Sequence, residues 1–391
     1  MNDRLPVQKS TLFYSGNGCH MVNQFSIRSR IYSGENALQT LQQYAGQRVG
    51  IVTDSFMVSS GLINRITEQL AQCETAVFSE VKPDPSIDVL QQGARFFYEL
   101  RPQVIIAFGG GSSLDAAKGI AATLNTLGIV DSIVLVAIPT TSGSGSEVTT
   151  YAIISDPANN IKYPLVSEDL LPDVAILDSS LVMSVPRGVS MDTGMDVMTH
   201  AIEALVSINA NDFSDALAEK SLRMVHEYLP QVFHDLNNQY AREKVHHASC
   251  LAGMAFNSAG LGLVHGMAHA LGALLHIAHG KINAMLLPII IKFNSQDDEQ
   301  IRDRYALCAR IMDLQNQNNI MQVQQLVKQI QRLNKMMGIP ASLKELGSDI
   351  GLLRQNLQEV ITAVLNDSCT KTNPRPVNAT DIEYLIEQII G

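Results

Sequence analysis

Residues 104–124 read VIIAF, then GGGSS, then LDAAKGIAATL. The unbroken apolar run predicts a short buried strand, and Leu114 to Leu124 predict a helix. Between them Gly109, Gly110 and Gly111 carry no side chains, so backbone N–H groups can approach a phosphate while the helix starting near Ser113 offers its positive end. Strand, glycine turn and helix is the order expected of a phosphate-binding βα unit. The spelling departs from the dinucleotide pattern G-x-G-x-x-G, because Leu114 stands at the third glycine position, and no P-loop Lys-Ser/Thr pair follows.

The same rhythm extends on both sides. Arg48 to Asp54 (RVGIVTD) reads as a strand ending in an acid, Thr67 to Cys73 as helical, Glu74 to Glu80 as a strand and Ile87 to Arg101 as a helix. Ile133 to Ile138 is the next strand, and it runs into residues 139–147 (PTTSGSGSE), a turn dense in hydroxyls and glycines. Parallel strands joined by helices predict an α/β fold, a sheet covered on both faces. Asp54 gains meaning in that frame. An acid at the end of an early strand can accept hydrogen bonds from an adenosine ribose and repel a 2′-phosphate, which favours NAD over NADP; the alternative is a helix-cap Asp before Ser55.

Beyond Val185-Pro186 the pattern becomes helical, in Met195 to Ile208, Asp215 to Leu229, Ala241 to Met254 and Gln300 to Met312. The expected division is an α/β domain over 1–185 and a helical domain over 186–391, with the polar run Asp313 to Gln325 as a solvated loop or helix. No repeat of 20 to 50 residues is visible.

Composition narrows the function. The 391 residues suffice for two or three domains, and 46% hydrophobic content is enough for a large core. With 28 Lys+Arg against 38 Asp+Glu the net charge is −10, which argues against a nucleic-acid or anionic-membrane surface. The most apolar stretch, Met285 to Phe293, is short and interrupted by Pro288 and Lys292, so no membrane span is expected. The N-terminus lacks the basic start and apolar run of a secretory signal, and the expected location is the cytoplasm. Cys19, Cys73, Cys250, Cys308 and Cys369 are odd in number, scattered and never in a Cys-x-x-Cys spacing, which predicts reduced thiols.

The histidines point to a metal. Four of ten fall between His265 and His279, and upstream Asp196 and His200 stand four apart, about 40° around a helix, so both side chains can reach one point. One acid with several imidazoles suits Fe²⁺, Zn²⁺, Mn²⁺ or Co²⁺. The alternative is an ordinary helix-surface pair with the later histidines on backbone carbonyls. His246 and His247 point to different faces of a helix and read as structural; His20, His226 and His234 have no partners in the sequence.

Four blocks, GGGSSLDAAK, PTTSGSGSEVT, DTGMDVMTHAIEA and GLGLVHGMAHALGALLHIAHGKINAMLLP, together with Asn373-Pro374-Arg375, make the chain resemble the iron-containing alcohol dehydrogenases over nearly its whole length. The resemblance implies an N-terminal Rossmann-like dinucleotide-binding α/β domain, a C-terminal helical metal-binding domain and a site in the cleft between them, as in the dehydroquinate synthase-like fold. Carried over residue by residue, it implies Asp196, His200, His265 and His279 as metal ligands and His269 as a non-ligand histidine beside substrate and nicotinamide. It implies Gly110, Gly111 and Ser112 at the pyrophosphate, Thr140, Thr141 and Ser144 near the cofactor, and Lys162 at its ribose. Fe²⁺, or Zn²⁺ or another divalent metal, would bind the alcohol oxygen as a Lewis acid while hydride passes reversibly between a primary alcohol and NAD, with NADP less favoured. His269 would relay the proton. A homo-oligomer, a dimer or larger, is also implied. Ala270 and Ala278 stand where the family usually has proline, Pro83-Asp84-Pro85 replaces Pro-Asn-Pro, and residues 1–25 extend beyond the usual start. Alternatives are a glycerol- or lactaldehyde-type polyol or hydroxy-acid dehydrogenase, a cyclase like dehydroquinate synthase, and a catalytically idle subunit. Phe256, Leu261 and Leu263 read as core before they read as substrate pocket.

Overall fold

The computed structural model describes residues 25–156, 161–314 and 316–391, with residues 161–163 described by their backbone alone. The extension expected over 1–25 therefore lies, apart from Phe25, outside the described residues. The first half contains β1 (Arg30–Ser33), β2 (Arg48–Asp54), β3 (Glu74–Val81), β4 (Val104–Gly109), β5 (Val134–Pro139), β6 (Tyr151–Asp156), β7 (Ile161–Val166) and β8 (Val174–Leu177). Six of these form one sheet in the order β1-β8-β5-β4-β2-β3, with parallel pairing throughout, while β6 and β7 form an antiparallel pair.

Every residue of β4 is buried, and the pleat divides them between two cores. Val104, Ile106 and Phe108 join Ile51, Val136 and Ile138 on one face; Ile105 and Ala107 join Val52, Phe97 and Leu114 on the other. A parallel sheet covered on both faces needs such continuous apolar runs. The helices of this half are α1 (Ser55–Ser59), α2 (Asn64–Thr67), α3 (Ile87–Phe96) and α4 (Gly111–Thr126). Two are shorter than the sequence pattern suggests. The helix expected over 67–73 is replaced by α2 and a single 3₁₀ turn ending at Leu70, because β3 starts at Glu74. The helix expected to reach Arg101 stops at Phe96: Phe97 is drawn into the core, and Arg101 adopts φ +48°, which no right-handed helix continues.

α4 and the turn after β5 bury a charged cluster. Lys118 Nζ donates to the Thr149 and Tyr151 carbonyls at 2.8 and 2.7 Å. Asp115 accepts from Ser146 Oγ at 2.7 Å and from the Ile153 amide at 3.0 Å. Burial pushes the Glu147 carboxyl up to about 7 and the Lys118 ammonium down to about 8, the latter opposed by Asp115 and Glu147.

The second half is helical: α5 (Arg187–Val206), α6 (Asp212–His234), α7 (Gln239–Ala259), α8 (Leu263–Leu275), α9 (His279–Asn294), α10 (Glu299–Ile311), α11 (Asn319–Met336), α12 (Leu343–Leu346), α13 (Ile350–Gln355), α14 (Leu357–Asn366) and α15 (Ala379–Ile390). They share one hydrophobic core. In the polar run 313–325, Asn318 caps α11 by accepting from the Met321 amide. Buried Arg242 of α7 pins the passage from sheet to helices, donating to Val182 O at 2.7 Å and Val185 O at 3.2 Å. No single helix among the described residues is long and apolar enough to cross a membrane.

Candidate active site

Three helices bring the predicted metal residues together. Asp196 and His200 lie on α5, His265 and His269 on α8, and His279 opens α9. Asp196 Oδ1 is 4.0 Å from His200 Nε2, 3.7 Å from His265 Nε2 and 3.9 Å from His279 Nε2. Gly280 explains how α9 comes so close: a Cβ there would lie 2.2 Å from the Asp192 carbonyl, so only glycine lets the start of α9 press against α5 and carry His279 to Asp196. Ala278, at the N-cap of α9, and Ala270, inside α8, leave the histidines within reach.

The histidines are arranged as acceptors. Burial lowers the pKa of both His200 and His265; Asp196 opposes this at His200, while His200, His279 and His269 lower His265 further. Neutral imidazoles are the form that binds a metal. Their orientation comes from a residue that sequence reading missed. Glu203, buried on α5, lies 2.6 Å from His265 Nδ1 through Oε2 and accepts the Gly262 and Val264 amides at 3.0 and 2.7 Å. With the proton on Nδ1, His265 keeps its Nε2 lone pair for the cluster centre. Glu203 could have been noticed from its place two helical turns after Asp196.

Two further residues also went unread. Asn283, one turn after His279, places Nδ2 2.6 Å from Asp196 Oδ1 and 3.1 Å from the Nε2 atoms of His265 and His279. Asp367 accepts from His269 Nδ1 at 2.9 Å and from the Cys369 amide at 2.7 Å. Burial would raise the Asp367 carboxyl, but the hydrogen bond and charge of His269 hold it below its ordinary value. No local pattern announces Asp367, which lies 98 residues from His269.

A divalent cation fits this donor set. One carboxylate oxygen and the imidazole nitrogens of His265 and His279 lie within 4.8 Å of one another, the mixed O/N donor set that divalent transition metals take.

The α/β half approaches this cluster through the loop after β5, where a Cβ on Gly143 would lie 2.7 Å from Thr193 Cβ on α5. Gly110 caps α4, and Cβ atoms built on Gly110 and Gly111 would meet Thr141 at 3.6 Å and Ser144 at 3.1 Å, so the glycine turn and the hydroxyl-rich loop lie against one another at the C-terminal end of the sheet. Ser112 lies in the first turn of α4, and buried Thr140 donates its amide to Gly109 O at 2.9 Å. The loop is pressed onto the helices at a glycine pair: a Cβ on Gly145, whose φ is +65°, would lie 2.7 Å from Gly253 Cα. Ser142 Oγ meets His246 Nδ1 at 3.0 Å, so His246, read as structural, ties this loop to α7.

Asp54 does what its alternative reading expected. Oδ1 caps α1 through the Phe56 and Met57 amides at 2.9 and 3.1 Å, and Oδ2 takes Ser113 Oγ at 3.3 Å beside the glycine turn. Asp84, in the Pro-Asp-Pro segment, adopts φ +55°. Lys162 pairs through its backbone with Ser155, and its side chain lies outside the described residues. Phe256, Leu261 and Leu263 belong to the helical core, where Phe256 backs His200 with ring centroids 4.6 Å apart.

Comparison with known proteins follows the same lines. Residues 28–179 match the family described as iron-containing alcohol dehydrogenase, and residues 190–390 match its C-terminal part. The chain is 42% identical to the 1-propanol dehydrogenase of Citrobacter freundii, covering 94% of this chain and 100% of that protein. It is 35% identical to the NADPH-dependent butanol dehydrogenase of Clostridium saccharobutylicum, covering 93% and 97%. Among solved structures, an iron-containing alcohol dehydrogenase from Thermococcus thioreducens superposes with a TM-score of 0.87 at 28% identity, over 94% of this chain and 99% of that one.

Proposed function

This chain belongs to the iron-containing alcohol dehydrogenase family, and from that premise we propose which of its residues carry the reaction and on what substrate. The chain is an alcohol dehydrogenase by its relatives, so the reaction class is reversible hydride exchange between an alcohol carbon and a nicotinamide. The observation that carries the site assignment is the convergence of buried Asp196 and His265 and solvent-reached His279, with His200 beside them, on one point.

In this reading residues 1–185 hold the dinucleotide and residues 186–391 the metal. Asp196, His200, His265 and His279 hold a divalent cation, Fe²⁺ by preference, which when bound supplies a Lewis acid for the alcohol oxygen. Glu203 fixes the His265 tautomer. His269, anchored at Nδ1 by Asp367, keeps Nε2 free to take and return the hydroxyl proton. Gly110, Gly111 and Ser112 offer backbone N–H groups to the pyrophosphate, with Thr140, Thr141 and Ser144 beside it and Lys162 toward the ribose. The Asp54 carboxylate beside the glycine turn supports NAD, because a 2′-phosphate there would meet a negative charge. A short primary alcohol or its aldehyde is the substrate, by analogy with relatives named for 1-propanol and butanol.

The test is anaerobic purification with Fe²⁺ followed by NADH oxidation against short aldehydes, with and without prior chelation. Turnover that chelation removes and Fe²⁺ restores is expected. No turnover with any aldehyde by metal-loaded protein would overturn the substrate assignment.

A further inference from the structure

We infer that Asn283 is a placeholder built into the metal cage, whose amide NH₂ keeps Asp196, His265 and His279 converged before a cation arrives. The inference rests on the cage being the metal site. Asn283 is fully buried, and its Nδ2 touches the same three ligand atoms that face one another, at 2.6 Å from Asp196 Oδ1 and 3.1 Å from each Nε2. Reversing the amide would set its oxygen 2.6 Å from a carboxylate oxygen, acceptor against acceptor, so the nitrogen must face inward. The cost of that orientation is visible at the other end of the side chain, where Oδ1 is buried without a partner among the described residues.

Such an arrangement makes sense only if the donors are needed inside the cage. An amide nitrogen can only donate, so Asp196 Oδ1 and the Nε2 atoms of His265 and His279 face it as three acceptors, and without that donor their mutual repulsion would turn them apart. The amide offers two hydrogens to three acceptors, so it holds the cage without saturating it. It is also neutral: a Lys or Arg in its place would hold the same acceptors but repel a divalent ion. His265 can take part because Glu203 claims its Nδ1 and leaves Nε2 as the acceptor. Asn283 is thus a positioning residue, acting on the metal through the ligands.

Titration of metal-free protein with Co²⁺, followed by visible absorption in competition with a chelator, reads the effect without turnover. Asn283→Ala and the nearly isosteric Asn283→Leu are both expected to bind Co²⁺ about 10- to 100-fold more weakly than wild type, while NADH binding and the melting temperature of the metal-free protein stay close to wild type. The Leu variant carries the test if the cavity left by Ala prevents folding. Affinities within about twofold of wild type, or tighter binding, would overturn the placeholder alone. Failure of the wild type to bind Co²⁺ would overturn the metal site and the inference with it.

Discussion

Each half of the molecule buries a cluster of ionisable groups, and the two are completed in different ways. In the α/β half Lys118 spends its ammonium on two carbonyls, and Asp115 takes a hydroxyl and an amide. The protein supplies the partners, and the cluster is part of the scaffold joining α4 to the turn after β5. In the helical half Asp196, His265 and His279 turn acceptors toward one another, and a single amide stands among them. The helical cluster also opens to solvent at His279, whose side chain is 44% exposed, whereas Lys118 and Glu147 are fully buried. A cluster whose hydrogen bonds close on themselves stabilises the scaffold; one that turns its acceptors toward a common point has the donor set a divalent cation requires.

The comparison can be broken most forcefully at His265. His265→Ala is expected to abolish turnover and to weaken metal affinity by more than the roughly 100-fold that marks the loss of an outer-shell partner, with NADH binding kept, as metal analysis and NADH fluorescence would show. Full activity in that variant would erase the distinction between the two clusters.

Glu147→Gln probes the other cluster. The Glu147 carboxyl titrates near 4.5 when free and about 7 in the fold, raised chiefly by burial. The folded state therefore keeps a proton that the unfolded chain gives up, and this contribution, about 3 kcal/mol, is present below pH 4.5 and lost as pH rises through 7. Thermal unfolding from pH 5 to 8 should show wild type losing more stability than the Gln variant, whose metal affinity stays unchanged. Parallel pH profiles would remove Glu147 from this account.

The smallest effect is expected at Asp54, where the two halves of the reading meet. Asp54→Gly should raise use of NADPH relative to NADH several-fold while costing only a few tenths of a kcal/mol in lost capping. An unchanged cofactor ratio, measured on the same aldehyde, would leave Asp54 as the cap of α1 alone.

Much of this was legible beforehand, for identifiable reasons. The strands over 48–54 and 104–109 announce themselves because both faces of a parallel sheet are buried, which forces unbroken apolar runs. Asp196 and His200 are legible because helical spacing fixes their common face. Helix ends were read less well: α3 stops at Phe96 because Phe97 finds a place in the core, a tertiary event that local spacing does not encode. Glu203, Asn283 and Asp367 escaped because Glu, Asn and Asp are common in helices and loops, and each gains its meaning from a partner on another element.

The sequence by itself determined the alternation of strand and helix, the glycine turn, the change to helices after Pro186, the Asp196/His200 pair and the histidine cluster over 265–279, since all of these rest on local periodicity or on residue chemistry; the choice of His265 and His279 within that cluster came from the family resemblance. Only the tertiary structure decided that Asp54 caps a helix, that Glu203 lies against His265 Nδ1, that Asp367 anchors His269 and that an amide sits among Asp196, His265 and His279. Those are relations between atoms 62 to 98 residues apart in the chain for the two histidine partners, and at such separations packing, rather than spacing, chooses which groups meet.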